Sequence, residues 1–153
     1  MSGRVESINV SCGGVPKTSV FEALITTEGL DGDYQRNQGI HGGPSRAVVL
    51  FSLEVIHALR AEGHPIAAGT TGENLTVAGL DWIELRPGTE LHINQVQLVI
   101  TKYTAPCERI RHSFLNGDFL RISETLHPGW SRVCARVLAG GVVRVGDAAT
   151  LSR

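Results

Sequence analysis

The chain has 153 residues, 42% of them hydrophobic, which is enough to bury a core without disulfides or a structural metal and argues against disorder. Charged residues make up 19% and the formal net charge is -1, so the chain lacks the basic footprint of a dedicated nucleic-acid binder. The apolar runs are too short to span a bilayer, and the first ten residues carry Arg4 and Glu6 with no continuous apolar stretch; neither a membrane span nor a secretory leader is expected.

Composition and punctuation point to one mainly β domain over residues 1–153. Eighteen glycines and six prolines break up short apolar runs throughout. In chain order, residues 4–11 read as a strand that ends at Gly13-Gly14, with Ile8 and Val10 alternating with polar neighbours. Phe21, Ala23 and Ile25 alternate in a second strand closed by Gly29. Residues 46–51 (RAVVLF) read as a buried strand. Residues 53–62 place Leu53, Ile56 and Leu59 or Arg60 at helical spacing, with Ser52 as N-cap and Gly63 as the stop. Leu75 to Val77 form a short strand. Thr89 to Ile93 and Val96 to Thr101 form a hairpin about Asn94-Gln95, with Val96, Leu98 and Ile100 on one face. The segment ERIRHSFL after Cys107 reads as a second helix with Ile110, Phe114 and Leu115 as the inward-facing candidates. Residues 132–138 and 142–145 flank Gly140-Gly141 as a second hairpin, and Ala148 to Leu151 form a last strand. Many short strands and few helices predict a closed or partly closed β-barrel, which removes exposed edges.

Three cysteines, Cys12, Cys107 and Cys134, fit no zinc ribbon or CxxC spacing, and free thiols in a cytoplasmic setting are expected. Cys107 follows Pro106 and opens the helical segment. A thiol there feels the positive end of a helix dipole, and Arg109 and Arg111 follow closely; a thiolate in that position can attack, carry a persulfide sulfur or ligate a soft metal. The alternative is a small buried hydrophobe. Cys134, between Val133 and Ala135, reads as core, and nothing near Cys12 activates it.

A second cluster lies in GDYQRNQGIHGGPSRAV, where Asp33, Arg36, His41 and Arg46 gather in a glycine-rich loop before a buried strand. It reads equally as a ligand site or as turn chemistry. Glu73 and Asn74 form a third cluster at a strand entrance, for which turn chemistry alone is the simpler account; the Asn74 amide both donates and accepts. GGVPKTS departs from the phosphate-loop pattern, although Lys17 still suits an anion. His57, His64, His92, His112 and His127 are scattered and make no zinc-ligand set.

Taken in order, VSCGGVPK, GLDGDYQRNQGIHGGPSRAV, GTTGENLTVAGLDW, PCERI and VRVGD resemble the MOSC domain, which also forms the C-terminus of molybdenum cofactor sulfurases. The likeness runs over residues 4–151 and is closest to small stand-alone bacterial members. It implies a MOSC-type β-barrel with a few peripheral helices. It also implies that Cys107 is the family's functional cysteine, carrying sulfur or binding the molybdenum of a molybdopterin-type cofactor. Ser11, Lys17, Asp33, His41, Arg46, Glu73 and Asn74 match the family's polar positions and would help hold that cofactor. Molybdenum-ion and pyridoxal phosphate binding are implied at the level of the family as a whole. The expected partners are a small-molecule substrate and separate electron- or sulfur-donor proteins, with neither nucleic acid nor membrane. Related stand-alone proteins are linked to reduction of N-hydroxylated bases, so an oxidoreductase component is the first expectation. A persulfide carrier or sulfur transferase is the second and a non-enzymatic binding module the third. The stretch PGWSRVCARVL departs from the family's usual glycine and tyrosine before the ARVL strand, which bears on substrate choice.

Overall fold

A computed structural model describes residues 2–11, 15–33 and 46–152. Its strands and helix are β1 (Ser2–Val10), β2 (Thr18–Val20), β3 (Glu22–Thr26), β4 (Gly29–Leu30), β5 (Val48–Ser52), α1 (Leu53–Ala61), β6 (Leu75–Ala78), β7 (Glu90–Ile93), β8 (Val96–Tyr103), β9 (Val133–Ala139), β10 (Gly141–Arg144) and β11 (Ala148–Ser152). The larger sheet runs β11-β7-β8-β9-β5-β6-β1-β2, and β1 also pairs with β11. That last pairing closes the sheet into a barrel and leaves β2 as an added edge on β1. The fold is therefore the mainly β barrel expected from the sequence.

Closure constrains each strand. The β1–β6 register shifts between Val5 and Ser7. Side chains alternate across a strand, so Val5 and Ile8, three residues apart, would face opposite ways without that shift; the bulge lets both be buried. In β8, Val96, Leu98 and Ile100 all face the core, as the alternation predicts. Asn94 takes φ 56 in the turn before it. The β5–β6 pair is parallel, unlike its neighbours. Parallel neighbours need a crossover, which α1 and the loop after it supply. Leu50 and Phe51, adjacent on β5, are both fully buried, so both faces of this strand are covered. Helix α1 packs on β5 and β6 through Ile56 and Leu59, and Phe51 meets Trp82 at 6.5 Å between centroids with the rings tilted by 57°. Ser52 caps α1 by accepting from the Val55 N–H at 3.1 Å, and Gly63 beyond its end takes φ 102.

Two expectations are corrected. Gly140-Gly141 is not a hairpin turn between its flanking strands. β9 pairs with β8 and β5, whereas β10 pairs with β3 in a separate three-stranded sheet, β10-β3-β4. Gly140 passes so close to β3 that a Cβ would stand 2.4 Å from the Ile25 carbonyl oxygen, and the chain moves there from one sheet to the other. The segment after Cys107 is not an α-helix either. It is a chain of 3-10 turns at Glu108–Ser113, Leu115–Gly117 and Phe119–Ile122, broken where Phe114 is extended and Asn116 takes φ 56. Tertiary bonds account for the breaks. The Ser113 hydroxyl donates to Thr70 Oγ1 (2.9 Å), the Leu115 N–H donates to His64 Nδ1 (3.0 Å), and Arg121 forks onto Glu62 at 3.0 and 2.8 Å. Ile110 and Phe114 are nonetheless buried as expected, while Leu115 is 46% exposed because the break at Phe114 turns it outward, and Phe21, expected within its strand, is 65% exposed.

Leu50 lies at the centre of this construction. Leu50→Ala is expected to cost about 2–5 kcal/mol in urea unfolding, and a loss below about 1 kcal/mol would contradict the two-sided packing of β5.

Candidate functional site

The Asp33 carboxylate is the hub to which the separated polar clusters converge. Its Oδ1 accepts from the Ser11 backbone N–H at 2.9 Å and from Lys17 Nζ at 2.6 Å, and its Oδ2 accepts from Asn74 Nδ2 at 2.9 Å. The Lys17 and Asp33 side chains are only 6% and 5% exposed. Asn74 returns its carbonyl oxygen to the Val49 N–H at 2.9 Å, and its own backbone N–H donates to the Val49 carbonyl. One amide thus links Asp33, beyond β4, to β5. An ion pair this deep offsets its desolvation only when the remaining hydrogen-bonding capacity is used, and here both carboxylate oxygens are engaged.

Glu73, beside Asn74, is fully buried. Its oxygens accept from the Gly69 N–H (3.0 Å) and from the hydroxyls of Thr71 (3.0 Å) and Thr76 (2.9 Å). Burial raises its carboxyl above the usual range, against the pull of the Gly69 N–H and the two hydroxyls. Asn9 ties the same loop to β1 through its amide, which donates to the Glu73 carbonyl and Thr76 Oγ1.

Cys107 stands beyond this loop. It is half-buried, extended at φ -140, and opens the first 3-10 turn without a side-chain capping bond. A six-residue 3-10 turn lacks the long run of aligned peptide dipoles assumed from the sequence. Arg109 and Arg111 are exposed, and Arg111 is paired with Glu108 at 3.0 Å. The charge next to Cys107 comes instead from Arg132, whose role could not be placed from the sequence. Its Nη1 donates to the Thr71 carbonyl at 2.6 Å and its Nη2 to the Ala105 carbonyl at 3.3 Å, two residues before Cys107. Burial lowers its basicity, with Glu73 the first of the groups opposing that. The signal available in the sequence was a lone arginine between Ser131 and the apolar strand β9.

The loop 69–74 therefore joins the hub to the thiol segment. Asn74 holds Asp33, Thr71 donates to Glu73 while accepting from Arg132, and Arg132 holds Ala105. Ser11, Lys17, Asp33, Glu73 and Asn74 form one connected set. Arg46 is half-buried just before β5, and His41 and Arg36 lie outside the described residues, as does Cys12. The divergent stretch Trp130 to Cys134 is tied to Trp82, Arg121 and Thr104. The Trp82 indole donates to the Ser131 carbonyl at 2.7 Å, Arg121 lies 4.0 Å over the Trp130 ring, and the Thr104 hydroxyl meets Cys134 Sγ at 3.0 Å. Cys134 is buried in β9, as expected of a core residue.

Two outcomes are expected. Lys17→Met leaves the Asp33 carboxylate buried with its ion pair lost and should cost about 3–5 kcal/mol by chemical denaturation, where Arg111→Met on the surface costs nothing measurable. The stability contributed by neutral Glu73 is complete below about 4.3, the ordinary glutamate value, and is lost as pH rises through its elevated folded-state value. Glu73→Gln stays neutral. The unfolding free energy of the native protein should therefore fall relative to Glu73→Gln as pH is raised from about 4.3, and a pH-independent difference would contradict the assignment.

The family model for the MOSC domain matches residues 37–150. Among curated proteins, "Uncharacterized protein YflK" of Bacillus subtilis (strain 168) is 26% identical over 141 residues, covering 90% of this chain and 62% of its own length. "Protein YiiM" of Escherichia coli (strain K12) is 26% identical over 114 residues, covering 71% and 51%. The chain thus spans between half and two thirds of the length of these relatives. Among solved structures, YiiM from Geobacillus stearothermophilus aligns with a TM-score of 0.75 at 21% identity, over 99% of this chain and 75% of that one. The YUAD protein from Bacillus subtilis aligns with a TM-score of 0.74 at 17% identity, over 99% and 96%. The barrel is common to them, and with the family model matched across most of its length, the chain belongs to the MOSC domain family.

Proposed function

We propose that this protein binds a molybdopterin-type molybdenum cofactor with Cys107 as the protein ligand to the metal, and that it serves as the reductase component for N-hydroxylated compounds. The observation that carries this reading is the setting of Cys107: a half-buried thiol, uncommitted to any capping bond, on a backbone segment held by a buried arginine. Among the described residues no group of three or more His, Cys, Asp or Glu side chains is placed to hold a metal ion. A metal here would arrive within an organic ligand and take one soft protein donor, which suits a thiolate. Arg132, with its Nε buried and unpartnered among the described residues, fits an anionic group at the same place.

When bound, the cofactor would supply the two electrons, and two protons would complete the loss of the N-hydroxyl oxygen as water. The chain's own part is to present the Cys107 sulfur and to hold segment 104–107 beside the start of β9 through the Thr104 N–H to Arg132 carbonyl bond (2.9 Å). Electrons would come from a separate protein. A second reading, sulfur transfer through a Cys107 persulfide, rests on the same half-buried sulfur and needs no metal.

Molybdenum analysis of protein from a cofactor-competent host, beside Cys107→Ala, tests the proposal. Near-stoichiometric metal lost in the variant is the expected result. Metal absent from both would sink it, and a reductant-removable mass of one sulfur atom on Cys107 would then establish the second reading.

A further inference from the structure

Arg132 is a buried cation that the polar groups around it satisfy incompletely. The residue is 6% exposed. Its two terminal nitrogens reach only neutral carbonyls, those of Thr71 and Ala105, and its Nε finds no hydrogen-bond partner among the described residues. Carbonyl dipoles alone compensate a buried charge poorly. The nearest carboxylate is no direct partner. The Glu73 oxygens are taken by Gly69, Thr71 and Thr76, and Thr71 stands between Glu73 and the guanidinium. Lys17 and Asp33 neutralise each other in direct contact. The field of Arg132 therefore falls on the side of the two sulfurs. Cys134 is closed off in β9 against Thr104, whereas Cys107 is half-buried and reachable from solvent.

We propose that Arg132 sets the charge specificity of the Cys107 site, favouring ligands that bring a negative charge against the Cys107 sulfur. The inference rests on Cys107 being the working residue, and it adds the class of group the site accepts. It also gives the divergent PGWSRVCARVL stretch a consequence: the chain carries its selecting charge immediately before β9. Arg109 and Arg111 are poorly suited to that task, being exposed and screened by water.

The test uses protein expressed without molybdenum, so that the thiol is free, and compares alkylation of Cys107 by iodoacetate and by iodoacetamide, read by peptide mass. Both reactions form the same sulfur–carbon bond and expel iodide, so their rate ratio cancels thiolate fraction and general access and leaves the preference for negative charge. The ratio, referred to that of a blocked cysteine in free solution, should exceed one. It should fall about three- to tenfold in Arg132→Gln, the size expected of one charge acting through partly screened surroundings, and return in Arg132→Lys. An unchanged ratio in Arg132→Gln, or a native ratio of one, overturns the proposal. Should Arg132→Gln not fold, the double variant Arg109→Gln/Arg111→Gln decides: an excess that survives it supports Arg132, and one that vanishes assigns the effect to the surface arginines and overturns the proposal. Molybdenum content separates this from the cofactor reading. Loaded protein with a ratio indifferent to Arg132 keeps the cofactor and removes the selecting charge, and metal-free protein with the expected ratios does the reverse.

Discussion

The buried Asp33 carboxylate is the constraint on which this end of the barrel depends. A carboxylate that is 5% exposed must be paired and hydrogen-bonded, and the donors that meet this need come from two distant stretches: the β1–β2 connection, with the Ser11 backbone and Lys17, and the loop before β6, with Asn74. Satisfying one charge thus fixes the start of the β1–β2 connection, the end of β4 and the entrance to β6 relative to one another. Asn74 then passes the constraint to β5 through Val49.

From Asn74 the same logic runs to Cys107. Loop 69–74 carries a second buried carboxylate, Glu73, and meets its needs with its own hydroxyls and the Gly69 N–H. Thr71 serves both side chains, giving its hydroxyl to Glu73 and its carbonyl to Arg132. The segment that presents the thiol is consequently held from the loop side by Arg132 and from β9 by Thr104. The polar positions of the family motifs bond mainly to one another, so they build the seat of Cys107 as much as they offer contacts to a ligand.

Much of the barrel was legible because it follows local periodicity. Val96, Leu98 and Ile100 declare an inward face, and Ser52 and Gly63 bracket α1 with capping chemistry that depends on a few adjacent residues. The errors arose where distant contacts overrule local pattern. Gly140-Gly141 resembles a hairpin turn, yet its use is to let the backbone press against Ile25 while changing sheets. ERIRHSFL has helical spacing, but bonds from Ser113, Leu115 and Arg121 to Thr70, His64 and Glu62 draw it into short turns. At the site, Lys17, Asp33 and Asn74 were visible as motif residues, while their pairing through Asp33 spans 16 and 41 positions of sequence and has no local signature. Arg132 was hidden for the converse reason: beside an apolar strand a single arginine looks like a surface residue until the fold folds its guanidinium inward.

The central claim is that Cys107 provides a sulfur ligand to a cofactor-borne metal. X-ray absorption at the molybdenum edge of the loaded protein tests it most directly, with Cys107→Ser reconstituted beside it. The account predicts one sulfur neighbour fewer around the metal in the variant. An identical sulfur shell in the two proteins would contradict it.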